Sequence, residues 1–405
     1  MRRLYFLITL ALCLTSTGRI SVSAANTSTA TQAPSLSAEA WISLLTSSPS
    51  DEDAYKLYGH TALRVCDPAT NMDAVFNYGI FEFSKPNFIY RFAKGETDYM
   101  LRAYDFKYYI FEYIERGSEV REQILNLSPE EKESLWQALV FNELPENRVY
   151  RYNFFFDNCA TRPIEMIEKN IQGSIKYAPY EENLTFRDVI NHCTRYHPWV
   201  TFGCDLIMGI PTDRVMTLRE TFFIPVYLQE ALDKAEIIRG DSAEPLVAKT
   251  NILNNETRSP EQRPPFMTSP LACFCLLFLI VLVITWREWR GKTYYRLVDC
   301  ILFFSAGIAG CIIFFLSFLS VHPGMFPNIS ILWLHPLHFI GVILISVKKY
   351  NNMAFRYHFI NFAAILAMCV AWIFVPQHFN IAFIPLIATL WTRSGWALIR
   401  KKISE

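Results

Sequence analysis

Apolar and polar positions divide the chain into three regimes. The first has an Arg2-Arg3 start, an apolar run from Leu4 to Leu14 and the small residues Val22-Ser23-Ala24, the pattern of a secretory signal peptide over residues 1–24. A Ser/Thr/Ala-rich leader over residues 25–37 follows. From residue 38 to 248 short alternating and helical-period stretches succeed one another, as in an α+β globular domain large enough for a good core. A polar, Pro-rich linker, residues 249–269, then gives way to long apolar runs. Pro270–Trp286, Cys300–Val321, Ile329–Val347, Phe359–Val375 and Ile381–Ile399 are each close to the ~20 residues that cross a bilayer. The expectation is a bundle of five transmembrane spans over residues 270–399, with a tail at 400–405.

Within the globular stretch the pattern predicts particular elements. Leu57–Val65 and Ala74–Ile80 read as paired strands around an Asp67–Asn71 turn. Trp41–Leu45 reads as a short helix or strand, and Phe106–Glu122 as a strand and then a helix. Ser128-Pro129-Glu130-Glu131 predicts a capping box opening a helix that ends near Asn142. The aromatic run Tyr150–Phe156 is β-prone and stops at Asp157-Asn158. Ile164, Ile167 and Ile171 then recur at helical spacing, with Gly173 as the stop and Pro163 confined to the first turn. This places Cys159 at or just before a helix N-terminus.

Charge adds orientation. Lys plus Arg and Asp plus Glu each number 38, so the net charge is zero, and no basic patch suggests nucleic acid. Arg287, Arg290, Lys292 and Arg296 follow the first apolar run, Lys348, Lys349 and Arg356 the third, and Arg393, Arg400, Lys401 and Lys402 end the fifth. The loops at 320–330 and 375–380 carry no Lys or Arg. By the positive-inside rule the amino-terminal domain faces out, as a signal peptide requires.

Unpaired amides and the macrodipole at a helix start favour a thiolate, so Cys159 has the setting of a nucleophile. A small buried cysteine behind a strand is the ordinary alternative. His60, after Gly59 at the start of a strand, is the natural base. His192 and His197 compete, but His192 beside Cys193 on a strand would point away from it. In an exported domain Cys193 and Cys204 could form a disulfide, leaving Cys66 and Cys159 unpaired. The chain has no HExxH, GxSxG, CxxC pair or P-loop, and neither a metal site nor a cofactor is expected.

Gly59-His60-Thr61-Ala62-Leu63-Arg64-Val65, the Phe155–Pro163 segment and Trp199–Arg214 together resemble one family, the periplasmic-domain-plus-membrane family that contains the lipoprotein N-acyltransferase called Lnb. The His-before-Cys order and the Asn-Cys pair are also similar to circularly permuted papain-like thiol enzymes. The family resemblance implies Cys159 as nucleophile, His60 as base, a phospholipid acyl donor and a lipoprotein acceptor at the inner membrane. Asn77, Asp205 and Asp213 are open as a third, orienting group. Arg64 and Arg162 could hold phosphate or carboxylate, or form intradomain ion pairs. Phe76, Tyr78, Phe81, Phe83, Phe88, Tyr90 and Phe92 suit core packing first and an acyl-chain groove second. His335 and His338, on one face within the third apolar run, could line a lipid cleft or simply pack helices. Two other readings stand beside acyl transfer: a membrane-anchored cysteine peptidase or amidase of the cell wall, and a non-catalytic envelope scaffold.

Overall fold

The computed structural model describes residues 33–404 apart from 52, 82–85, 181 and 256–263, so the signal peptide and Phe83 lie outside the described residues. Met1–Pro34 and Ser35–Glu405 separate as two compact units, and the second is described below. Its first part holds β1 (Trp41–Ser47), β2 (His60–Asp67), β3 (Met72–Ile80), α1 (Phe88–Lys94), β4 (Asp98–Asp105), α2 (Phe106–Arg116), β5 (Val120–Leu125), α3 (Pro129–Glu143), β6 (Val149–Arg151) and α4 (Thr161–Asn170). There follow β7 (Ser174–Lys176), α5 (Phe186–Cys193), α6 (Pro198–Ile207), α7 (Leu218–Thr221), α8 (Pro225–Asp233), β8 (Glu236–Arg239), β9 (Ser242–Pro245) and β10 (Val247–Asn254). Seven strands form one antiparallel sheet in the order β10-β5-β1-β2-β3-β4-β6, and β7-β8-β9 form a small second sheet.

The sheet is covered on both faces, which is why β1 and β2 lack a polar-out alternation and are buried almost throughout. On one face α2 sets Tyr109 and Tyr113, one turn apart, against Leu45, Ala62, Val75 and Val120. On the other α3 sets Trp136 edge-on to Phe76, with ring centroids 6.0 Å apart. The segment from Phe106 is therefore a helix and then a strand, the reverse of the expected order. Spacing Tyr109 and Tyr113 one helical turn apart brings both onto the sheet, and Gly117 at φ 61° ends the helix before β5. The Ser128 capping box forms in full, and its Glu131 also binds Arg239 at 2.5 Å and the Gln172 amide at 2.8 Å. The domain extends past residue 248, because β10 pairs with β5 as far as Asn254. His192 and Cys193 end a helix instead of lying on a strand, and Cys193 and Cys204 are both free thiols, so the disulfide is absent here.

The second part contains α9 (Pro270–Gly291), α10 (Arg296–Phe318), α11 (His338–Ser346), α12 (Asn351–Ala371) and α13 (Phe383–Ser404). Among the described residues three helical stretches, Pro270–Gly291, Arg296–Phe318 and Lys348–Ala371, are long and apolar enough to cross a membrane. This corrects the expectation of five. The third apolar run splits into a turn at Ile329–Leu332 and the nine-residue α11. At 1.5 Å per residue nine residues cover only about half of a ~30 Å hydrocarbon core. The fifth run does form a 22-residue helix, but Arg393, Arg400, Lys401 and Lys402 make it too polar by composition. Arg393 is wholly buried: its guanidinium binds Glu288 at 2.6 Å, Thr285 at 2.9 Å and Asp299, clasping α9, α10 and α13 together.

The globular domain is fastened to the helical part through α6 and the loop after it. Asn328 Nδ2 donates to the carbonyls of Leu206 and Ile207 at 3.0 and 3.1 Å, and the Gly209 and Ile210 amides donate to Gly324 and Pro327. Asn380 Nδ2 donates to Asp205 at 2.8 Å, and His378 Nδ1 lies 3.0 Å from Asp213. Inside the domain Arg187 grips both carboxylates, at 3.0 Å from Asp205 and 2.7 Å from Asp213.

Removing one member of a buried ion cluster strands the others in a low dielectric. Arg393→Ala should therefore destabilise the protein by about 3–5 kcal/mol, read as a lower thermal midpoint and poorer yield in detergent. Adding Glu288→Gln and Asp299→Asn to Arg393→Ala should restore part of that loss.

Candidate active site

Cys159 sits where two neighbouring strands part. The β2–β3 ladder begins at the Leu63–Phe76 pair, so His60 and Thr61 lie beyond it. On the other side β3 loses register with β4 between Asn77 and Ile80, a bulge that includes Gly79 at φ 95°. The opening receives the segment leading into α4. A Cβ on Gly79 would lie in ordinary contact, 3.4 Å from Cys159 Cβ and 3.7 Å from His60 Cε1, so it is the positive φ that favours glycine beside the pair. Gly59, at φ 76°, lets the chain turn tightly beneath Ser47 just before His60.

The local sequence builds this entry. Asp157 and Asn153 exchange backbone hydrogen bonds at 2.9 Å, so the strand β6 stops at Arg151 and Asn153–Asp157 is a closed turn. Asn158 then organises the helix start: its Oδ1 accepts from the amides of Ala160 and Thr161 at 2.8 and 3.0 Å. Its Nδ2 donates to the carbonyls of Phe154 and Phe223. Cys159 directly precedes the helix cap Ala160, and Pro163 falls in the first turn. The helix-start amides of Ala160 and Thr161 are thus engaged by Asn158 and not open to a ligand.

His60 Nε2 lies 2.6 Å from Asn77 Oδ1, and Asn77 Nδ2 donates to Tyr104 Oη at 2.7 Å. The Tyr104 contact orients the Asn77 amide so that its oxygen faces the imidazole, which leaves His60 Nδ1 for the Cys159 sulfur. Burial pushes the Cys159 thiol up, but the His60 charge and hydrogen bond and the amides of Thr61 and Cys159 outweigh it and hold the thiol below its ordinary value. Burial likewise works against charge on His60, and the Cys159 sulfur with the Asn77 carbonyl more than offsets it, raising the imidazole. Both directions favour a thiolate–imidazolium pair.

Three of the residues singled out from sequence, Cys159, His60 and Asn77, therefore meet at one point. The others are engaged elsewhere. Asp205 and Asp213 hold Arg187 and the helical part, which removes them as orienting groups. Arg64 is 8% exposed and bound to Asp73 and Glu122 at 2.8 and 2.9 Å, and Arg162 pairs with Asp157 at 2.5 Å over the Tyr150 ring. Both are intradomain ion pairs. His338 is fully buried between Tyr357 Oη at 2.6 Å and the Trp333 carbonyl at 3.0 Å, with His335 stacked on it at 3.9 Å. They pack helices rather than line a cleft. His197 binds Asp51 at 2.7 Å, and with His192 it edges a cavity of about 530 Å³ whose lining does not include Cys159. The residues that sequence reasoning missed are Gly79, Thr61 and Tyr104; a glycine inside an otherwise β-prone run was the one signal available.

Two family models match the chain. The Lnb N-terminal periplasmic domain covers residues 30–192, and the Lnb transmembrane domain covers residues 261–403. The chain belongs to the Lnb family. It is accordingly a membrane protein with a periplasmic domain, and His60, Asn77 and Cys159 lie inside the periplasmic match. No curated protein and no solved structure matches it, so the expected permuted papain-like fold is not shown.

Alkylation of Cys159 by iodoacetamide should rise with pH through a midpoint below the ~8.5 of a free thiol. In His60→Ala burial remains without its counterweight, so the midpoint should move upward, as mass spectrometry across a pH series would read. Gly79→Val forces a β-branched residue to positive φ against Cys159. A loss of about 1–3 kcal/mol in stability, with slowed alkylation, is expected.

Proposed function

We propose that this Lnb-family protein is a lipoprotein N-acyltransferase that takes its acyl chain from a membrane phospholipid. The observation that carries this reading is a cysteine paired with a histidine that is itself oriented by Asn77, in a periplasmic domain fastened to membrane helices. Activated acyl carriers made in the cytoplasm are out of reach there, whereas phospholipid esters are at hand.

In this reading the Cys159 thiolate attacks an ester carbonyl of the phospholipid. A carbon–sulfur bond forms, the ester carbon–oxygen bond breaks, and the His60 imidazolium returns the proton to the departing alcohol. Lysophospholipid leaves and the acyl group remains on Cys159 as a thioester. The α-amine of a lipoprotein's terminal diacylglyceryl-cysteine then attacks the thioester, His60 takes the amine proton, and Cys159 is regenerated. Because Asn158 engages the helix-start amides, the donors left for the oxyanion are the Cys159 and Thr61 amides. Both serve the sulfur at rest, so they follow the negative charge as it moves from sulfur to oxygen. Asn77 keeps the imidazole in the tautomer this cycle requires.

A thioester intermediate implies that Cys159 is acylated without acceptor. Incubation with phospholipid vesicles should add one acyl mass to intact protein, absent in Cys159→Ala and reduced about 10²–10⁴-fold in rate in His60→Ala. With acceptor present, the terminal peptide of a lipoprotein should gain that acyl group. Cleavage of a muropeptide with no acyl adduct on Cys159 would identify a cell-wall peptidase instead.

A further inference from the structure

The aromatic residues noted in the sequence separate into two groups. Phe76 and Tyr78, 3% and 1% exposed, are core. The second group runs outward from the dyad. Tyr152 stacks on Tyr99 at 4.1 Å, Tyr99 on Phe81 at 4.8 Å, Phe81 on Phe88 at 5.8 Å and Phe88 on Phe92 at 6.1 Å. Successive ring planes along this line differ by only 17, 29, 17 and 19°. In the core Phe155 instead meets Phe186 and Phe223 edge-on, at 63 and 79°. At its inner end the line comes to the thiol through β3: Gly79 lies beside Cys159, and the next residue, Ile80, pairs with Met100 adjacent to Tyr99.

At its outer end the line reaches α1, a short helix that leaves Ile89 83%, Tyr90 55% and Phe92 47% exposed. A contiguous apolar surface of that kind on an exported domain marks a contact. The location of α1 says with what. Tyr90 lies against Phe315 near the end of α10, one of the membrane-crossing helices. The Val321 amide donates to the Lys94 carbonyl at 2.9 Å, and His322 Nε2 lies 2.7 Å from the Phe92 carbonyl. α1 therefore packs beside the end of a membrane-crossing helix, and aromatic side chains concentrate where such helices leave the hydrocarbon. Arg91 and Lys94 are held by Asp98 and Glu96 at 2.9 and 2.7 Å, so the helix meets the interface with its charges neutralised.

We propose that α1 lies in the outer bilayer interface and that the line Phe92–Phe88–Phe81–Tyr99–Tyr152 is the track by which one acyl chain of a bilayer phospholipid reaches Cys159. This rests on the acyl-transfer reading but adds the donor's route, which the dyad alone does not specify. The aromatic line gives the chain apolar contact from bilayer to thiol, so the ester does not have to cross water with its chain exposed.

Two measurements on the full-length protein test the track separately from the chemistry. In the first, Cys159→Ala protein in vesicles of phosphatidylethanolamine and phosphatidylglycerol is irradiated with a phospholipid bearing a diazirine in mid-chain. Adducts are expected on the 86–99 and 150–152 peptides; adducts confined to residues 270–404 would overturn the track whatever the enzyme does. In the second, Ile89→Asp with Phe92→Asp, both at exposed positions, is compared with the parent protein on vesicle phospholipid and on soluble p-nitrophenyl butyrate. The ratio of vesicle to soluble acylation rates of Cys159 should fall at least about tenfold, and an unchanged ratio would refute the track. If the parent acquires no acyl group from vesicles while the diazirine adducts form, the acyl-transfer reading fails and the lipid track stands.

Discussion

The parting of β2 from β3 is the constraint on which the site depends. Pairing of these strands starts at Leu63–Phe76, and the β3–β4 bulge carries Asn77 and Gly79 away from the regular ladder. A sheet paired to its ends would fill this space with backbone hydrogen bonds. Because it is open, the segment after β6 can bring Cys159 against His60, and the Thr61 amide can turn to sulfur instead of to a strand. The positive φ at Gly79 lets β3 bulge directly beside the thiol.

Around that opening the polar groups are arranged with little slack. Asn158 accepts from two amides and donates to two carbonyls, so it stabilises the helix start and also takes over the donors an anion would otherwise find there. The thiolate at Cys159 is consequently favoured by the adjacent imidazole and the Thr61 and Cys159 amides, acting against burial. Asn77, held by Tyr104, bonds the other face of the imidazole, at Nε2. A neutral amide in that role orients the ring without adding a negative charge beside the thiolate.

The domain is tied to the helical part by hydrogen bonds that are mostly to backbone carbonyls, and Arg187 braces the loop that makes them. Asp205 and Asp213 belong to this joint. The fold uses them to set the domain's seat on the bundle, while a separate contact between α1 and α10 brings the aromatic line to the same end.

Local rules alone account for the Ser128 cap, the helix after Asn158 with Cys159 at its start, the strands around His60 and Asn77, and the change to a hydrophobic bundle. Each follows from periodicity or from a side chain bonding backbone within a few residues. Tertiary structure alone decided which distant groups meet. Asn77, Asp205 and Asp213 were equivalent in sequence, and only the strand opening and the Arg187 joint told them apart. The order of helix and strand after Phe106 likewise depended on the sheet that Tyr109 and Tyr113 could cover. The third apolar run had the length to span, but its helix begins only at His338, after the turn at Ile329–Leu332 and Pro336, and His338 is buried against Tyr357 and the Trp333 carbonyl. Hydropathy registers how apolar a segment is; packing decides how much of it can remain one helix.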